Sequence, residues 1–148
     1  MALHWIEGYE VDRSSPYLAR KYAANSGGSF TTGRLHGFCR TFAAGGFERT
    51  PSLTLQDEWT IGIGLFANSG VSVDANIIMY RGATEQLRLH IEDTSSSVMK
   101  AEIKRGATVL ATVTGISQGV WHYFEFQATL HTSTGAYELR IDEIQVAT

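Results

Sequence analysis

A glycosidase needs two carboxyl groups about 5–5.5 Å apart for retention, or about 6.5–9.5 Å apart for inversion. Residues i and i+2 of a strand share a face at roughly 6.6 Å, so an E-x-D or D-x-E unit would serve, and none of the alternating stretches between Glu58 and Asp142 carries one. Glu138 and Asp142 have the same parity but stand about 13 Å apart along a strand. Asp142 and Glu143 point oppositely, and Asp57-Glu58 and Glu92-Asp93 fall at turns. Solvated charges on an outer face are expected, and no enzyme. His4, His36, His90, His122 and His131 show neither H-x-x-x-H nor H-x-H spacing, and Cys39 stands alone. No metal site, cofactor or catalytic residue is expected. His122 shares parity with Phe124 and Phe126, which reads as a hydrogen-bonded interior histidine. Gly28 to Leu35 imitates a phosphate loop in its glycine spacing, yet it lacks the lysine and Ser/Thr that would hold phosphate and magnesium.

Aromatic side chains remain as candidates for binding. Trp121 and Tyr123 alternate with Val120, Phe124 and Phe126. An outward pair of this kind can stack a sugar ring or a partner's side chain. The expectation adopted is the plainer one, that the two rings lie beneath a loop or between two sheets.

The elements that would position these residues are strands. Trp59, Ile61, Ile63 and Leu65 share one parity, Thr60, Gly62 and Gly64 the other. Leu87, Leu89 and Ile91 alternate with Arg88, His90 and Glu92, and Tyr137, Leu139 and Ile141 with Glu138, Arg140 and Asp142. Period two over such stretches means half-buried strands of antiparallel sheets. Turn signals separate them at Asn68-Ser69-Gly70, Arg81-Gly82, Asp93 to Ser97, Arg105-Gly106, Gly115 and Ser133-Thr134-Gly135. One segment differs: Ser14-Ser15-Pro16 supplies a cap and a first-turn proline, Tyr17 to Asn25 good helix formers, and Asn25 to Gly28 a stop. The expectation is a single domain over residues 1–148, an all-β antiparallel sandwich with one short N-terminal helix.

Composition narrows the partners. Of 148 residues, 43% are hydrophobic and only 18% charged, which suits a folded core. The net charge of -3 comes with no basic stripe, so no nucleic acid is expected. No apolar run approaches the ~18 residues that would span a bilayer, and Met1 to Glu7 lacks the pattern of a signal peptide. The single cysteine rules out a disulfide within the chain. Synthesis in a cytoplasm is expected.

The opening "WIEGYEVDRSSPYLARKY" resembles the start of laminin-G-like, concanavalin A-type sandwich domains of tailed-phage virion proteins. "WTIGIGLF", "QLRLHIE", "IKRGATVLATV" and "GVWHYFEFQATLHTSTGAYELRID" are similar in order, and the last is the most specific. Such domains usually continue with a glycine turn and further strands, whereas here Glu143 to Thr148 follows. The resemblance implies a concanavalin A-like jelly roll and a virion structural protein, a capsid or tail decoration or accessory subunit that binds other virion proteins. It implies a homo-oligomer, made in the host cytoplasm. The alternative is a lectin-like, carbohydrate-binding module. An incomplete edge is expected near the C-terminus, where Ile144 and Val146 keep the alternation of a strand, and Trp121, Tyr123, Ile144 and Val146 are the binding candidates.

Overall fold

A computed structural model describes residues 57–131 and 135–148 with their side chains, and the backbone of four short strands before them. The chain divides into two compact units, one containing Asp57–Thr148 and the other Ile6–Gln56. In the second unit β1 (Ala24–Ser26) pairs antiparallel with β4 (Phe47–Arg49), and β2 (Ser29–Thr32) with β3 (Phe38–Thr41). The expected helix, Tyr17 to Asn25, lies outside the described residues except for its last two. Those two, Ala24 and Asn25, belong to β1, so a helix does not extend that far.

The first unit is a β-sandwich of two four-stranded antiparallel sheets. One is a meander in chain order, β6 (Asp74–Arg81), β7 (Thr84–Ser95), β8 (Val98–Arg105) and β9 (Thr108–Ser117). The other runs in the order β12 (Ile144–Ala147), β11 (Ala136–Ile141), β10 (Trp121–Thr129), β5 (Glu58–Phe66). Two-residue turns join neighbouring strands of the meander, among them Gly82-Ala83 and Gly106-Ala107 at expected positions. Gly115 is different. It lies inside β9 at φ +80°, where the pairing with β8 slips between Met99 and Ala101, so it makes a bulge instead of ending a strand.

The core has the expected alternation. Leu89, Ile91, Met99 and Ile103 from the meander and Phe124, Phe126 and Leu139 from the other sheet are all but fully buried. Trp59, Ile61, Ile63 and Leu65 pack against this cluster from β5. Burying such side chains is what stabilises the sandwich, at ~1.5–3 kcal/mol each. Among the described residues no helix is long and apolar enough to cross a membrane.

Candidate functional site

The outward faces of the two sheets carry different chemistry. On the meander, His90 and Glu92 of β7 stand beside Glu102, Lys100 and Lys104 of β8, because the register pairs His90 with Glu102 and Glu92 with Lys100. One ligand atom each from His90, Glu92 and Glu102 lies within 4.8 Å of the others. That convergence was invisible to a search within single strands. Counting across the β7–β8 hairpin would have been needed, and the bulge between Asp93 and Ser95 defeats a simple count.

The arrangement is an ion network. Lys100 Nζ bridges Glu92 Oε1 at 2.8 Å and Glu102 Oε1 at 2.7 Å, and Lys104 Nζ reaches Glu102 Oε2 at 2.7 Å. Lys104 also donates to His90 Nδ1 at 3.0 Å, which leaves Nε2–H to donate to Asp74 Oδ1 at 3.1 Å. Glu102 is only 8% exposed, and hydrogen bonds from Lys100 and then Lys104 lower its pKa to about 2. The bonds to Glu102 and then Glu92 raise that of Lys100. Two ammonium groups thus occupy the positions around Glu102 where a divalent cation would sit. The two carboxylates are near enough for glycosidic chemistry, yet Lys100 bridges them where a glycosidic oxygen would have to enter. The geometry suits cross-linking of strands.

His122 and Asp142 form a second polar cluster. Asp142 Oδ2 meets His122 Nδ1 at 2.6 Å, and His122 Nε2 donates to the Ser117 carbonyl at 3.0 Å. A dyad poised for catalysis would aim Nε2 at a nucleophile; here a backbone oxygen takes it. His122 is therefore the hydrogen-bonded histidine its parity suggested. Asp142 departs from the expected strand: it lies in the β11–β12 turn with Glu143, both at positive φ (51° and 70°). Its backbone N–H donates to the Tyr123 carbonyl at 2.9 Å, and its Oδ1 accepts from the Tyr123 N–H at 2.8 Å.

The outward face of the second sheet carries an aromatic strip. Phe66, Trp121 and Tyr123 lie there, opposite in parity to buried Phe124 and Phe126; Phe66 and Tyr123 are exposed and Trp121 is half-buried. Tyr123 is 38% exposed. The register places Trp121 beside Phe66 and Tyr123 beside Gly64. From there both rings lean along β5: an added Cβ at Gly62 would come within 2.1 Å of the Tyr123 hydroxyl, and one at Gly64 within 3.8 Å of the Trp121 six-membered ring. Phe66 and Trp121 have centroids 5.5 Å apart at a tilt of 45°. Two glycines thus floor the strip. Glu125 of β10 follows Tyr123 on this face, opposite Arg140 of β11, which is paired to Glu138 at 2.5 Å.

Of the remaining candidates, Ile144 and Val146 stand exposed on β12. The structure brings Trp121 and Tyr123 together and leaves Ile144 and Val146 as a separate surface. Comparison with protein-family models, curated proteins and solved structures finds no match.

Proposed function

We propose that the chain is a non-catalytic binding subunit of a tailed-phage virion, a capsid or tail decoration or accessory protein with a concanavalin A-like jelly roll. It docks to copies of itself and to other virion proteins. One observation carries the binding mode: the adjoining edge strands β9 and β12 contain no charged residue in either sequence. Val109, Leu110, Ile144 and Val146 stand exposed on them, Ile144 at 68%. Folded monomers usually guard such edges with lysine, proline or inward charge, so an unguarded pair supports docking by strand or apolar contact. The resemblance of the sequence to virion domains supplies the biological setting.

Light scattering of the purified chain tests the docking mode. A dimer or higher oligomer is expected, and Ile144→Lys with Val109→Lys should return a folded monomer. A wild-type monomer at every concentration that also fails to bind virus particles would overturn it. A second reading, carbohydrate binding, is favoured by the aromatic strip on a different face, where Phe66 and Tyr123 are exposed beside half-buried Trp121.

A further inference from the structure

We infer that the strip formed by Phe66, Trp121 and Tyr123 is a stacking site for a linear, neutral saccharide lying along β5. The inference rests on the carbohydrate-binding reading and adds to it the site, the direction and the ligand's charge. From Phe66 to Gly62 the strip runs about 13 Å, long enough for more than one pyranose ring. The axial C–H groups of a pyranose make an apolar, weakly positive face, and aromatic rings offer a matching apolar, negative one. Gly62 and Gly64 are what let the rings lie over the strand, since side chains there would lift them. Hydroxyls at the sugar's rim need acceptors and donors beside the rings, and Glu125, Gln127 and Arg140 project on that same face. Nucleic-acid bases also stack on rings, but their phosphates need a positive groove. Here, among the described residues, Glu125 and Glu138 face the one guanidinium of Arg140, which is already paired to Glu138. That charge balance disfavours polyanions and selects a neutral glycan.

The test is titration of the full chain, followed by tryptophan fluorescence and calorimetry, with cellohexaose, chitohexaose and maltohexaose, and an oligothymidylate as the anionic control. One or more hexaoses should bind and the oligothymidylate should not. Tyr123→Ala and Gly62→Ala should each weaken binding by at least about tenfold, the scale of one lost stacking contact, while melting temperature and circular dichroism stay as in the wild type. Gly62→Ala removes no ring and unseats Tyr123, whose ring, 38% exposed, has to swing outward. Binding of no hexaose overturns both the strip and the carbohydrate reading. Hexaose binding kept by both variants overturns the strip alone. Preference for the oligothymidylate overturns the choice of a neutral ligand.

Discussion

Glu102 shows how much a single side chain gains from its cross-strand neighbours. Its pKa in the folded chain, about 2, lies below the ordinary value of 4.5. The stability it contributes is therefore complete above about pH 4.5 and is lost as pH falls toward 2. Solvent screening reduces the full linkage value, so about 1–2 kcal/mol is expected. Glu102→Gln should lower stability at neutral pH by that amount and flatten the acid limb of a denaturation-against-pH series. An unchanged acid limb would show that the lysines do not hold the carboxylate in solution. Because ammonium groups fill the surroundings of Glu102, EDTA should leave the melting temperature unchanged. A fall of several degrees would instead mean that a cation displaces Lys100.

At the scale of elements, the turn between β11 and β12 carries the clearest strain. Asp142 and Glu143 both adopt the left-handed conformation that a two-residue hairpin with the right twist requires. L-residues pay roughly 1–2 kcal/mol there, and three contacts from Asp142 to His122 and Tyr123 offset it. Glu143→Gly should raise stability by about 1 kcal/mol in urea unfolding. Asp142→Ala should lower it by ~2 kcal/mol, since His122 and the Tyr123 N–H each lose an acceptor. Strand existence was readable from alternation at this scale. Strand ends were not: the sequence of Asp142 reads as strand, and only the contacts to β10 show the turn.

At the scale of the molecule, the two four-stranded sheets of the first unit share one apolar interior, and Phe124 and Phe126 lie at its centre with no measurable exposure. Phe124→Ala should cost ~3–5 kcal/mol by opening a cavity, read as a large drop in the denaturant midpoint with the cooperative transition kept. The described surface of the sandwich divides by chemistry: an ion network on one sheet, rings on the other, and an uncharged edge at β9 and β12. The edge should govern self-association and the rings ligand binding. Ile144→Lys should thus change oligomeric state without altering hexaose titration, and Tyr123→Ala should do the reverse.

Alternation of side chains alone determined that this chain forms antiparallel strands, and that Leu89, Ile91, Leu139 and the β5 residues Trp59, Ile61, Ile63 and Leu65 face inward. A period of two is local, so each strand announces its own buried face. The tertiary structure decided everything that depends on which strands are neighbours. It set Glu102 beside His90 and Glu92, laid Tyr123 over Gly62, turned Gly115 into a bulge, and gave His122 a carbonyl in place of a nucleophile. Those relations are fixed by register, and one slipped residue exchanges the faces of a strand. Bulges at Asp93, Gly115 and Leu139 each shift the count by such a step, which is why the strands were legible in the sequence and their shared sites were not.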